Sequence, residues 1–172
     1  TGASISGQLD FEAASLDGCK DTDDVERAAL SAQRLRVAQG FFFGKIKIEQ
    51  GVVDLTAAHV GDLVDDMGSW PDAQDRLILD GFTYDRIDGP TKFDLRRNWL
   101  ANGSKWRGEF FPQPYTQFAR TLRQMGHIAE ARKVLIGMAD TSARIDRQQS
   151  RDLRRFARAL RWFSASENKR AW

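Results

Sequence analysis

The sequence predicts an α+β chain: a short right-handed β-solenoid of about three coils over residues 1–88, capped by an α-helical segment over residues 91–172. Three observations carry this expectation. Residues 1–90 hold 10 of the 14 glycines, set among short apolar runs that alternate with polar residues in the period of strands. A small-x-aliphatic string recurs in Ala3-Ser4-Ile5-Ser6-Gly7, Ala14-Ser15-Leu16-Asp17-Gly18 and Ala58-His59-Val60-Gly61, with Leu35-Arg36-Val37-Ala38 as a looser copy. Its aliphatic positions are 5, 16, 37 and 60, a recurrence near 22 residues, once halved, which suits one coil of a solenoid. Charge then changes sign at Gly89-Pro90. Residues 1–90 carry 17 acidic and 8 basic side chains, net −9; residues 91–172 carry 7 acidic and 18 basic, net +11.

Taken in order, the strand candidates are Ile5, Leu9–Phe11, Phe41–Phe43, Ile46–Ile48, Val52–Leu55, Leu63–Val64, Leu77–Leu79 and Phe82–Tyr84. Runs this short imply frequent corners, and an antiparallel meander would accommodate the same segments. Asp21–Arg36 interrupts the pattern: Asp21-Thr22-Asp23-Asp24 suits a helix start, so this stretch reads as a short helix or a bulging loop. Ser69-Trp70-Pro71 reads as the end of a coil, with Trp70 covering its edge.

The helices follow from Pro90 onward. Thr91 with Asp94 approximates a capping box, and the first helix runs through Phe93, Leu95, Trp99 and Leu100 to Asn102-Gly103. Pro114 suits the first position of a second helix, which aligns Tyr115, Phe118, Ala119, Leu122 and Met125 before Gly126. A third aligns Ile128, Ala131, Val134, Leu135 and Met138. The last, from about Ser142 to Ser164, sets Ile145, Leu153, Phe156, Leu160 and Phe163 against Arg144, Arg147, Arg151, Arg154, Arg155, Arg158 and Arg161.

The 172 residues suit one domain or two small ones, and a net charge of +2 conceals the opposed halves. No window has the apolar length of a membrane span. The single Cys19 excludes an intrachain disulfide and any multi-cysteine metal site. The chain opens on Thr1, already inside a repeat, and so reads as a piece of a longer protein.

Catalytic chemistry finds little purchase. No G-x-G-x-x-G follows a strand and no Walker motif occurs. Gly40-Phe41-Phe42-Phe43-Gly44 is too bulky for close phosphate approach. Cys19 precedes an acidic run that disfavours its thiolate. Asp21, Asp23 and Asp24, and likewise Asp62, Asp65 and Asp66, have the clustering of calcium or glycosidase carboxylates but read as turn and solvated-face residues. Asp54 and Asp80 read as corner caps, His59 as a surface histidine beside Val60, and His127 as a helix-start residue. No catalytic, cofactor-binding or metal residue is therefore assigned. The candidate site is the basic helix face, with Arg147, Arg151, Arg154, Arg155, Arg158 and Arg161 meeting an anionic surface and Trp162 and Trp172 flanking it. Its plain alternative is a solvated face on a packed helix.

Two resemblances bear on function. Tyr115, Ala119, Leu122, Gly126, Ala131 and Leu135 resemble one tetratricopeptide-type hairpin. More broadly, Gln39-Gly40-Phe41, the run from Gly51 to Gly61, Ser69-Trp70-Pro71, Leu77 to Tyr84, Pro112 to Tyr115 and Gly126 to Ile136 resemble the C-terminal part of large bacterial proteins. These carry a pentapeptide-like β-solenoid, are often labelled membrane-associated oxidoreductases, and continue into membrane spans that this chain does not reach. The function expected first is a non-catalytic scaffold or interaction module, and the resemblance implies a place in the bacterial cytoplasm, membrane-associated in the full-length protein. It would take a protein partner or an anionic membrane surface, with a homo-oligomer as a further arrangement. The alternatives are an oxidoreductase or carbohydrate-active enzyme, and a DNA-mimic or nucleic-acid-binding repeat protein.

Overall fold

The computed structural model describes residues 2–18 and 28–167, with side chains through Arg155. Cys19, Asp21, Asp23, Asp24 and Trp172 lie outside the described residues. Two compact units divide the chain, Thr1–Met138 and Ala139–Trp172.

The first unit begins with ten short strands. They are β1 (Ser4–Ile5), β2 (Leu9–Asp10), β3 (Ser15–Leu16), β4 (Ala28–Ser31), β5 (Arg36–Phe43), β6 (Lys47–Ile48), β7 (Val52–Asp54), β8 (His59–Asp65), β9 (Leu77–Ile78) and β10 (Thr83–Asp88). Helix α1 (Phe93–Gly103) follows, then β11 (Lys105–Trp106), β12 (Glu109–Phe110) and α2 (Gln113–Gln124). Helix α3 (Ile128–Glu167) completes the described chain.

The expected three-coil right-handed solenoid is corrected here. The chain is α+β, with three helices and several small sheets, some parallel and one antiparallel. β1, β2, β5, β8 and β10 form one parallel sheet, β4-β7-β9 a second and β3-β6 a third, while β11 and β12 pair antiparallel. A regular coil would repeat one strand length and one register. Here strands run from two to eight residues. β1 and β2 share β5 as partner, and the register slips between Val37 and Gly40 and between Ala28 and Leu30. The recurring aliphatics are divided accordingly: Ile5, Val37 and Val60 are in register, whereas Leu16 faces Ile48 in a separate sheet. The meander alternative is also excluded, because every described pairing among β1–β10 is parallel.

Backbone turns join these strands at a recurring position. Arg34, Ala57 and Gly81 precede β5, β8 and β10 with φ of 57°, 56° and 71°. Only at Gly81 does the sequence supply the residue that adopts this left-handed geometry without strain. Asp54 caps one such turn, accepting from Thr56 N–H at 2.9 Å and from its hydroxyl at 2.6 Å.

The core is an aromatic chain that links sheet to helix. Phe41 and Phe43 stack with centroids 5.6 Å apart, Trp70 lies 4.3 Å from Phe43, Trp99 5.6 Å from Trp70, and Phe118 6.4 Å from Trp99. Trp70 is thus a core residue rather than the cover of a coil's edge, and α1 and α2 contribute to the same interior as the strands. Burying these large side chains is the main driving force available to a unit built from such short strands.

Three local expectations also change. The described part of Asp21–Arg36 contains strand β4, since Val53 and Asp54 lie alongside Leu30 and Ser31 to accept it. Thr91 does not cap α1; the cap position is Lys92 and makes no side-chain bond, while Phe93 N–H donates to Glu130 Oε2 at 2.9 Å. The two helices expected on either side of Ala139-Asp140-Thr141 are one helix of 40 residues, because nothing in that tripeptide breaks the backbone ladder.

Candidate functional site

The second unit presents the predicted arginines. Arg144, Arg147, Arg151, Arg154 and Arg155 are all exposed. Spacings of three and four residues put Arg144, Arg147, Arg151 and Arg154 on one face of α3. Arg147 Nε donates to Ala143 O at 2.8 Å, which steadies that side chain against its own helix. Among the described residues no carboxylate forms an ion pair with any of the five. Asp152 instead accepts from Gln148 Nε2 at 3.2 Å and 3.3 Å. Like charges at this spacing repel, so the face concentrates positive charge along α3. Leu153 is 69% exposed on the same segment. The side chains of Arg158, Arg161 and Trp162 lie outside the described residues. No helix, among the described residues, is long and apolar enough to cross a membrane.

In the first unit the structure builds a cleft around His59. Strand pairing sets Thr83 beside His59, and Thr83 Oγ1 is 3.0 Å from His59 Nδ1. Asp85 Oδ2 lies 3.8 Å from His59 Nε2. Gln117, Arg120 and Gln124 from α2 complete a cleft of about 250 Å³. Asp85 and Arg120 bring opposite charges to it, and His59, Thr83 and the glutamines add hydrogen-bonding groups. This cleft was hidden because its parts come from β8, β10 and α2.

The carboxylates expected to share turn or surface roles have separate fates. Asp62 is exposed. Asp66 accepts from Lys45 N–H at 2.7 Å and from Ser69 Oγ at 3.0 Å. Burial pushes the Asp66 carboxyl up, but these bonds, with those from the Gly68 and Ser69 amides, outweigh it and hold the group below its ordinary range. Asp65 is not at the surface at all. It pairs with Arg96, and both side chains are fully buried. The sequence did hold a signal for Arg96, since Phe93, Arg96 and Leu100 share the spacing of one inward helix face. Among the described residues, no group of three or more His, Cys, Asp or Glu side chains could hold a metal ion. His127 lies before α3, and its carbonyl accepts from Ala131 N–H at 3.0 Å.

Fold and site together define an α+β chain that ends in a cationic helix. Comparison with protein-family models, with curated proteins and with solved structures yields no match.

Proposed function

We propose that the chain is a non-catalytic interaction module whose basic helix binds an anionic membrane surface. The observation that carries this reading is the row of exposed arginines from Arg144 to Arg155, which no described carboxylate engages. A basic helical face with exposed apolar side chains beside it is the arrangement that lies on anionic lipid headgroups, each basic residue near the surface adding about 1 kcal/mol. Leu153 supplies such an apolar group. The sequence resemblance to membrane-associated bacterial proteins supports the same direction.

Vesicle co-sedimentation tests this. Binding is expected to vesicles containing phosphatidylserine at low salt, to weaken as salt screens the charges, and to be absent with neutral phosphatidylcholine vesicles. Joint substitution of Arg147, Arg151, Arg154 and Arg155 by Glu is expected to weaken it more than about a hundredfold. Equal binding to neutral vesicles, or indifference to the four substitutions, overturns the proposal. Tighter binding to duplex DNA than to anionic vesicles would replace it with a nucleic-acid role.

A further inference from the structure

The polar face of α2 divides into two parts. Gln113, Gln117, Arg120 and Gln124 follow at steps of four, three and four residues, which sets them on one side of the helix. The first two are committed to strand β10. Gln113 accepts from Gly81 N–H at 3.1 Å and donates to Phe82 O at 3.0 Å. Gln117 donates from Nε2 to Tyr84 O at 2.7 Å and to Thr121 Oγ1 at 3.1 Å. These bonds hold α2 against β10 and fix one wall of the cleft relative to the other. Arg120 and Gln124 lie further along, are exposed, and make no side-chain hydrogen bond or ion pair among the described residues.

The sheet supplies the facing wall. Parallel pairing sets Thr83 beside His59, and Asp85 stands two residues on, so the pleat turns all three to the same face while Tyr84 between them is buried. Thr83 Oγ1 engages His59 Nδ1 at 3.0 Å and so fixes the ring. Asp85 Oδ2 is 3.8 Å from His59 Nε2, beyond hydrogen-bond length, which leaves both groups with unfilled bonding capacity.

Charge then names the ligand. Asp85 and Arg120 line one cleft with opposite signs and do not pair with each other. A ligand with a single charge would be attracted by one of them and repelled by the other, whereas one that carries both charges is attracted by both. The volume of about 250 Å³ sets the size, since sites for drug-sized molecules run from roughly 300 to 1,000 Å³. A free α-amino acid combines a small body with a carboxylate and an ammonium group on one carbon.

We propose that this cleft binds a free α-amino acid, with its carboxylate on the Arg120 guanidinium and its ammonium group on Asp85. The planar guanidinium matches a carboxylate with two parallel hydrogen bonds. His59 Nε2 and the Gln124 amide supply further hydrogen-bonding groups beside them. The cleft lies in the first compact unit and the arginine face in the second, so the two readings fail independently.

The chain contains two histidines, His59 in the cleft and His127 outside it, so imidazole proton signals in NMR report on the site with an internal control. His127→Gln assigns them. Each common amino acid is titrated into the full chain at constant pH. At least one is expected to shift the His59 signals saturably, with half-saturation at about a millimolar, and to leave those of His127 in place. Acetate and methylammonium, which carry one charge each, are expected to bind at least about tenfold more weakly. Arg120→Gln and Asp85→Asn, both at exposed positions, should each weaken the amino acid about tenfold, and Arg120→Lys less. The proposal is overturned if no amino acid moves the His59 signals, if acetate or methylammonium binds the unaltered chain as tightly as the best amino acid, or if either charge-removing variant binds that amino acid unchanged.

Discussion

Arg96 and Asp65 form a bidentate ion pair that joins helix α1 to strand β8 in the interior, with Nη1–Oδ2 at 2.6 Å and Nη2–Oδ1 at 2.5 Å. Each guanidinium nitrogen and each carboxylate oxygen of the pair has a partner. Trp70 Nε1 donates to Asp65 Oδ2 at 2.6 Å, and Arg96 Nε donates to Pro90 O at 2.8 Å. The guanidinium carbon also lies 4.9 Å from the Trp99 ring centroid and 5.8 Å from that of Phe118. Burying two charges carries a desolvation cost that such added hydrogen bonds help to offset. Asp65→Ala is therefore expected to destabilise the fold by about 3–5 kcal/mol, because it strands a buried guanidinium. Asp65→Leu combined with Arg96→Met should lose much less. Urea unfolding of the three proteins checks this, and a double variant weaker than the single one would refute it.

Gly89 is the neighbour that makes this pair possible. A Cβ there would sit 2.5 Å from Asp65 Oδ1, 2.6 Å from Asp65 O and 3.2 Å from Arg96 Nη2. Both the carboxylate and the backbone are fixed, so neither can yield cheaply. Gly89→Ala is expected to cost about 1–3 kcal/mol. Since it acts by displacing the ion pair, its effect should not add to that of Asp65→Ala. Strict additivity in a double-variant cycle would show that the clash is relieved elsewhere.

Asp66 predicts a pH dependence with a definite sign. Its bonds from Lys45 and Ser69 hold its carboxyl below the ordinary value, so the folded chain binds this proton more weakly than the unfolded chain. The stabilisation is complete above the ordinary carboxylate range and is lost as pH falls through the lowered value. Asp66→Asn should thus be less stable than the parent near neutrality, with the difference shrinking in acid. Urea midpoints from about pH 7 down to about pH 2 test this; a gap that widens in acid would reverse the assignment.

Tyr84 O shows how α2 seals the β10 margin. It accepts from Gln117 Nε2 at 2.7 Å and from Thr121 Oγ1 at 3.3 Å, both buried. Gln117→Leu with Thr121→Val leaves this carbonyl without either donor and should cost about 1–3 kcal/mol. Gln117→Leu alone should cost less, since the threonine hydroxyl remains. Thermal unfolding of the single and double variants separates the two outcomes.

Much of the local structure could be read from residue patterns. The alternation at Ile46-Lys47-Ile48 marks β6, Pro114 falls one position after the start of α2, which opens at Gln113, and Asn102-Gly103 ends α1. Where reading failed, a distant partner had decided the outcome. Ala28–Ser31 has helix-compatible residues, yet it pairs with β7. Trp70 and Asp65 looked like edge and turn residues because Phe43 and Arg96, which hold them, are remote in sequence.

By itself the sequence determined which side chains are apolar, where turns and helices begin, and that negative charge gathers before Gly89 and positive charge after it. The arginine face belongs to this class, since a helical period alone aligns it. Tertiary structure alone decided which short strands share a sheet, that the His59 cleft exists, and that one aspartate of three is drawn inside to meet an arginine 31 residues away. The physical reason is range. Periodicity and turn chemistry act over a few neighbouring residues, whereas strand register and buried ion pairs depend on groups that only folding brings together.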